Sequence, residues 1–171
     1  DHYTAGRVAA NLLDNCLPKK ASVVCMTAPL KLNAHNQRLK GFSDRFLEAR
    51  SEKKLIVISE KASNKKWAKE RLASVLENEK IKGIFYSGSW FEEIAGILKT
   101  KKLKRTKLVC FEKLPSRIQY CKAGYVDFII DQNAEKMGYQ AMQNMNEWIY
   151  YNNKQTKEIL SPLQIYVKEN L

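Results

Sequence analysis

The sequence predicts an α/β fold in which a mostly parallel sheet is flanked by helices. Strand-like and helix-like segments alternate along nearly the whole chain, as in successive βαβ units with right-handed crossovers. The strand-like segments are short continuous apolar runs, which is typical of strands covered on both faces. The helix-like segments instead repeat apolar residues three and four positions apart. The length of 171 residues corresponds to about one domain.

The first half of the chain predicts three helices separated by two strands. The helices are expected at residues 4–17, 34–50 and 64–79, and the strands at 21–28 and 53–59. The apolar residues that form the helical stripes are Val8, Leu12, Leu13, Leu17, Leu39, Phe42, Phe46, Leu47, Trp67, Leu72, Val75 and Leu76. The runs ASVVCMTA and KKLIVIS lack such a period and predict buried strands.

The second half of the chain continues the alternation to the end. Strands are expected at residues 82–88, 106–112 and 125–130, with a last strand near 163–168. Helices are expected at residues 89–99 and 134–151, with a short helix near 115–124. Parallel sheets of this kind bind ligands at the carboxyl ends of their strands, so the residues that follow each strand are the candidates for function.

The chain is basic, with a net charge of +12 from 30 basic and 18 acidic residues. The densest basic run is KTKKLKRTK, residues 99–107, between a predicted helix and a predicted strand. Such a run either keeps a solvated turn soluble or attracts a polyanion. No aromatic residue alternates with these charges, which argues against a stacking platform for single-stranded nucleic acid.

The four cysteines predict a reducing compartment. Cys25 and Cys110 lie inside apolar strand patterns, where a free thiol behaves as a small hydrophobic group. Neither they nor Cys16 and Cys121 form a CxxC pair. Free thiols of this kind favour a cytoplasmic location. No apolar run approaches the ~20 residues needed to span a bilayer, so we expect no membrane association.

Motifs for other chemistry are missing from the sequence. Neither GxxxxGK[ST] nor GxGxxG nor GxSxG occurs. Two histidines without a CxxC pair do not make a zinc site. Glu92 and Glu93 are expected on a helix surface, and Asp127 and Asp131 on a strand surface. We therefore expect a protein that is not an enzyme and that needs no metal and no cofactor.

Three predicted strands are followed by a side chain suited to hydrogen bonding with a sugar. These side chains are Ser89, Glu112 and Gln132. The alternative is that polar residues at these points only cap helices and shape turns, which Ser, Asp and Asn do for backbone reasons. His35 follows the first strand and either touches a ligand or faces solvent from a loop.

Five segments together resemble the effector-binding core of the LacI family of bacterial transcription regulators, whose fold is shared with periplasmic sugar-binding proteins. DHYTAGRVAANLL is similar to a D-x-x-x-A-G-x-x-A-A-x-x-L helix, and NQRLKGFSDRF to an R-x-x-G-F/W helix. LVCFEKLP resembles a V-V-G-F-D-D-x-P strand and turn. YVDFIIDQNAEKMGYQAMQNM and PLQIYVKENL resemble the closing segments in the family's order.

The resemblance implies a periplasmic-binding-protein-like fold of type I, here without its amino-terminal part. Residues 1–131 and 155–171 would form the C-terminal lobe of the ligand-binding core. Residues 132–154 would hold one helix of the N-terminal lobe and its crossovers. A helix-turn-helix headpiece and most of the N-terminal lobe would precede the first residue.

The resemblance also implies three ligand-binding residues. Arg38 matches the motif arginine, whose guanidinium has five fixed donors for adjacent hydroxyls. Gln132 matches a glutamine at the second crossing between the lobes, where it can donate and accept. Glu112 replaces the family's aspartate, and its extra methylene moves the carboxylate by about one bond.

Two further positions are candidates at the same edge. Ser89 lies where the family often has Asn-Asp, so SGSW departs from the pattern. Trp90 either supplies an apolar platform for a pyranose ring or belongs to the core. With His35, these complete the set of expected ligand contacts.

The function implied by the resemblance is effector sensing in a sugar-responsive repressor or activator. A small-molecule effector, most simply a sugar, would close the two lobes. A homodimer would contact DNA only through the missing headpieces. The alternatives are a periplasmic sugar-binding protein of a transporter and a small α/β enzyme or response-regulator-like module.

Overall fold

The computed structural model is an α/β fold with one mixed sheet between two helical layers. It describes residues 1–48, 54–59, 64–103, 105–153 and 158–171. The helices are α1 (His2–Cys16), α2 (Asn33–Glu48), α3 (Lys65–Asn78), α4 (Phe91–Thr100), α5 (Pro115–Lys122) and α6 (Ala134–Tyr151). The strands are β1 (Ser22–Thr27), β2 (Lys54–Ser59), β3 (Ile81–Ser87), β4 (Lys107–Phe111), β5 (Phe128–Asp131) and β6 (Gln164–Tyr166). A short 3₁₀ turn spans Lys168–Asn170.

The sheet has six strands in the order β2-β1-β3-β4-β5-β6. The first five run parallel, and β6 pairs antiparallel with β5. The predicted fold class and the alternation of elements are confirmed. Helix α4 begins two residues later and β5 three residues later than predicted, and residues 49–50 of the second predicted helix lie outside the described part.

Alternation along the strands divides the core between the two faces of the sheet. On β1, Val23 and Cys25 face α1 and α2, whereas Val24 and Met26 face α3, α4 and α5. All four side chains are fully buried. This explains why the strands read as unbroken apolar runs: each face of each central strand is covered by helices.

Glycines make the closest contact between α1 and α2. A Cβ atom on Gly6 would overlap the carbonyl oxygen of Arg38, and a Cβ atom on Gly41 would overlap the carbonyl oxygen of Tyr3. The two helices therefore cross with their backbones in direct contact. Leu47, which was expected to face inward, is 47% exposed.

Helix α6 stands apart from the two helical layers. None of its residues is buried, and Met142, Trp148 and Ile149 are all more than half exposed. Asn133 begins the helix with a left-handed backbone and accepts a hydrogen bond from the amide of Lys136. Residues 132–154 were predicted to form a separate unit, and this division stays a prediction because its end falls among residues 154–157, outside the described part.

The described helices contain no segment both long and apolar enough to cross a bilayer. The same part of the chain holds no group of three or more His, Cys, Asp or Glu side chains placed to bind a metal ion.

Candidate ligand-binding site

The carboxyl ends of β1, β3, β4 and β5 bring polar groups to one edge of the sheet. Thr27 and Ser87 are register partners at the ends of β1 and β3, and both are almost fully buried. Phe111 ends β4 beside them. Because Phe85 and Phe111 contribute to the core on the α1–α2 face, the hydroxyl of Ser87, two residues beyond Phe85, also points toward α2.

Arg38 is the central cation of this edge. Its Nη1 lies 3.5 Å from Ser87 Oγ, and its Nη2 lies 3.7 Å from Glu112 Oε1. The guanidinium carbon lies 4.3 Å from the centre of the Phe111 ring, and the side chain is only 8% exposed. Among the described residues, no partner accepts from its buried Nε. Arg38 is therefore fixed in place, and its two terminal nitrogens carry more N–H donors than these two contacts use.

The surroundings of Arg38 shift the pKa of its guanidinium in both directions. Burial lowers the pKa of its guanidinium, the Glu112 carboxylate raises this pKa, and the second cation Arg117 lowers it. The group stays charged because an arginine side chain does not lose its proton in proteins. An incoming ligand that accepts hydrogen bonds would restore part of the solvation that Arg38 loses on burial.

Glu112 connects Arg38 to Gln132. Gln132 Nε2 donates a hydrogen bond to Glu112 Oε1, the same oxygen that faces Arg38. Glu112 has a left-handed backbone with φ of 67°, and its amide donates to the carbonyl oxygen of Ile130 at 2.8 Å. The three residues that the sequence proposed from separate motifs thus form one continuous polar array.

Arg117 holds the turn that carries Glu112. Its Nη1 donates to the carbonyl oxygens of Phe111 and Glu112, the latter at 3.3 Å. Arg117 comes from the first turn of α5, is buried, and lies with its guanidinium carbon 5.3 Å from the centre of the Phe91 ring. Arg117, which the sequence analysis did not identify, therefore stabilises the left-handed backbone conformation of Glu112.

Two histidines lie beside the array. His35 is in the first turn of α2, not in a loop, and its Nδ1 is 3.3 Å from Ser87 Oγ. Which of the two atoms donates depends on the tautomer. His2 begins α1, and its buried Nδ1 has no partner among the described residues. Burial, the positive charge of Arg38, the chain's amino terminus and His35 all lower the pKa of His2.

An open cleft of about 440 Å³ adjoins the array. Gln132 belongs to the polar array and also lines the cleft, so it lies between the buried cations and the open space. The residues that line the cleft are Asp1, His2, Tyr3, Gln37, Gln132, Met137, Glu158, Ile159, Leu160, Ser161 and Leu163. The walls combine hydrogen-bonding groups with apolar side chains, which suits a small ligand that has both polar and C–H faces.

Ser89 and Trp90 do not join the array. Helix α4 begins at Phe91, two residues later than predicted, so residues 88–90 form the connection between β3 and α4 and not a helical turn. Ser89 is exposed, and Ser87 supplies the hydroxyl at the array. Trp90 packs half-buried against the core on the opposite face of the sheet, next to α3–α5. The core interpretation of Trp90 is therefore the one that the contacts support.

The remaining strand exit, residues 60–63 of EKASN, lies outside the described residues. The sequence analysis did not identify Ser87 and Thr27 as site residues, although one feature of the sequence pointed to them. Each is a small polar residue at the end of an apolar strand, in register with the alternation that faces α2.

The family model for the periplasmic binding protein domain matches residues 1–150. The chain belongs to the periplasmic binding protein domain family. Membership of this family confirms that the chain is a binding protein and not an enzyme, and it agrees with the fold seen here. No curated protein matches the chain.

Solved structures of several binding proteins share the fold of this periplasmic binding protein domain. A glucose-galactose binding protein, GanP, from Geobacillus stearothermophilus is 22% identical with a TM-score of 0.86. A putative LacI transcriptional regulator from Bacteroides fragilis is 18% identical with a TM-score of 0.89. A carbohydrate transporter solute binding protein from Agrobacterium radiobacter, solved with D-arabinose, is 19% identical with a TM-score of 0.83.

These likenesses cover the whole of this chain but only part of each relative. They span 99–100% of this chain and 61%, 60% and 60% of the three solved chains. The periplasmic binding protein domain described here thus corresponds to about three-fifths of each of them.

Proposed function

We propose that the chain binds a sugar in the cleft at the carboxyl edge of its sheet, and that it is the sensing part of a LacI-type transcription regulator. The observation that carries the binding proposal is the array of Arg38, Glu112 and Gln132. It offers fixed donors and an acceptor side by side, which is what adjacent sugar hydroxyls require. Two of the solved relatives named above bind sugars by their printed descriptions.

A second lobe completes the cleft in this proposal. The exposed apolar side chains of α6 and the 159–162 segment support it, because patches of this kind mark surfaces that pack against other protein. The relatives are longer than this chain, which leaves room in their fold for such a lobe. Ligand bound between two lobes would favour their closed arrangement and shift that equilibrium.

The regulatory part of the proposal rests on two observations. One relative of the same fold is a putative LacI regulator. All four cysteines of the chain are free, and burial raises the pKa of the Cys110 thiol to about 12, so this thiol stays protonated and inert. Free thiols favour the cytoplasm, where a regulator would work as a homodimer and reach DNA through a separate headpiece.

A transporter's solute-binding protein is the second candidate function. The solved carbohydrate transporter relative with D-arabinose favours it. The coding sequence upstream of this chain discriminates between the two: a helix-turn-helix supports the regulator, and a secretion signal supports the transporter protein.

Sugar binding itself is testable with the chain as it stands. With part of the cleft wall open, we expect a Kd of about 1 mM, or roughly −4 kcal/mol. D-arabinose, D-glucose and D-galactose at about 100 times that Kd would then stabilise the fold by about 2.7 kcal/mol. For a chain of this size, the best of the three should raise Tm by roughly 5–10 °C.

The matched variant for this experiment is Arg38→Met, which keeps an unbranched side chain but loses the donors. Sugars also stabilise proteins by exclusion from the surface, and this effect is common to both forms. The proposal predicts that the sugar-specific part of the Tm rise disappears in Arg38→Met. Equal shifts in both forms with all three sugars would contradict it.

A further inference from the structure

The edge of the sheet opposite the cleft carries a cluster of cations. In the strand register, Ser22 lies beside both Lys54 and Ile81, and Gly83 lies beside Lys107, so the beginnings of β1 to β4 are neighbours. Basic residues occur at or just before the beginnings of β2, β3 and β4. The basic edge, as we call it, comprises Lys54, Lys80, Lys82, Lys102, Arg105 and Lys107.

Most of this charge is not neutralised. Lys54 pairs with Glu79 at 2.5 Å, and Lys107 pairs with Asp127 at 2.7 Å. The other four cations are exposed and form no ion pair within the described part of the chain: Lys80, Lys82, Lys102 and Arg105. Four unpaired charges of one sign on one edge create a potential that attracts a polyanion.

The fold also brings aromatic rings to the basic edge. Tyr125 lines a shallow hollow of about 500 Å³ together with Lys102 and Arg105. A second, smaller hollow is bounded by Tyr125, Tyr120 and Lys99. The Tyr120 and Tyr125 rings lie edge to face with centres 6.2 Å apart. This proximity was not predictable from local patterns, because the tyrosines follow the basic run by 13 residues or more.

We propose that the basic edge and Tyr125 bind single-stranded nucleic acid. Phosphates would lie on Lys80, Lys82, Lys102 and Arg105, and a base would stack on the half-buried Tyr125 ring. Cations that follow a backbone beside an aromatic ring are the two features that such binding needs. The surface lies at the amino ends of the strands, about 20 Å along β3 from the cleft, so both sites can be occupied together.

Fluorescence anisotropy with labelled oligo(dT) of about 16 nucleotides tests the proposal on the full chain. Four neutralised phosphates predict a slope of about −2.8 for log K against log salt concentration. Affinity should therefore fall roughly 50-fold between about 50 and 200 mM salt.

Two double variants of equal charge change locate the surface. Lys102→Glu with Arg105→Glu removes two contacts at the basic edge. Lys31→Glu with Lys136→Glu makes the same change at exposed positions on the cleft side of the sheet. We expect the first to weaken oligo(dT) binding at least 10-fold more than the second. Equal losses would overturn the assignment to this edge, since only total charge would then matter.

Tyr125→Leu distinguishes binding of nucleic acid from binding of other polyanions such as heparin or an acidic membrane. Leucine keeps the apolar packing of the tyrosine but cannot stack on a base in the same way. We expect oligo(dT) affinity to fall about 5-fold or more while heparin affinity stays unchanged. Unchanged oligo(dT) affinity in a variant that melts normally would overturn the nucleic-acid assignment. Absence of any binding at low salt would overturn the proposal as a whole.

Discussion

Replacing Gly6 by alanine tests whether the crossing of α1 and α2 positions the binding site. The new Cβ would overlap the Arg38 carbonyl oxygen and lie 2.8 Å from the amide nitrogen of Phe42. Ordinary contacts between heavy atoms are about 3.5–4.0 Å, so relieving the 2.1 Å approach to the Arg38 carbonyl oxygen requires α2 to move away by roughly 1.4 Å. The neighbours are backbone atoms of a helix, which cannot swing aside as the end of a side chain can.

Two opposing effects determine how much Gly6→Ala changes the free energy of unfolding. Overpacking a tight interface costs about 1–3 kcal/mol, and rigid backbone contacts place Gly6→Ala near the upper limit. Alanine in place of glycine returns about 1 kcal/mol through helix propensity. Gly96→Ala in α4 is the matched control, because nothing lies within 4 Å of its added Cβ. Gly96→Ala should therefore gain about 1 kcal/mol of stability from helix propensity and suffer no steric clash.

The measurement is urea unfolding of both variants beside the parent chain. We expect the free energies of unfolding of the two variants to differ by about 3 kcal/mol, or roughly 6–12 °C in Tm. Because Arg38 itself must shift, sugar binding should weaken in Gly6→Ala and stay unchanged in Gly96→Ala. Equal stability of the two variants would refute the claim that the helix backbones are in contact.

Three further predictions concern other parts of the molecule. Arg117→Met leaves one buried and one partly buried carbonyl oxygen short of a donor, so it should cost about 2–3 kcal/mol in urea unfolding. It should also weaken sugar binding by releasing Glu112, and full retention of stability and binding would contradict a positioning role. Folding lowers the pKa of His2, so the folded chain favours the neutral imidazole. The contribution of His2 to the free energy of unfolding is fully present above its unfolded pKa of about 6.5, and it is lost as pH falls through the lower folded pKa. Tm should therefore drop on acidification below pH of about 6.5, and His2→Asn should flatten this part of the profile; an identical profile would exclude His2 as the cause. Ile149→Lys on α6 should change stability by no more than about 0.5 kcal/mol, because no residue of that helix is buried; a loss above about 2 kcal/mol in thermal melts would show that α6 packs in solution.

The order and type of the elements could be predicted from local patterns alone. Continuous apolar runs identified β1, β3 and β4, since both faces of these strands are covered. Boundaries were less accurate where side chains replace backbone pairing. The strand predicted at residues 125–130 begins only at Phe128, because the carboxylate of Asp127 accepts from the amide of Leu108 and from Lys107.

The candidate site was predictable only where a motif carried it. Arg38, Glu112 and Gln132 came from three separate segments, and the fold joins them into one array through an ion pair and a hydrogen bond. Their role in binding stays a prediction. Ser87 was missed because Ser89, in the same short segment, has the same hydroxyl, and only the register of β3 distinguishes the two. Arg117 was missed because its acceptors are backbone carbonyl groups, which leave no trace in the sequence.

The most direct test of the central claim follows the Nε–H signal of Arg38 by NMR during titration with the sugar that most stabilises the chain. Arg38 Nε is buried and lies two bonds from the terminal nitrogens that face Ser87 and Glu112, so a ligand that binds these nitrogens is expected to shift its signal. Arg117 Nε, equally buried and without a partner in the same part of the chain, serves as the internal control. A saturable shift of the Arg38 signal, with the Arg117 signal unmoved, is the predicted result. An unchanged Arg38 signal at saturating sugar would contradict the assignment of this site.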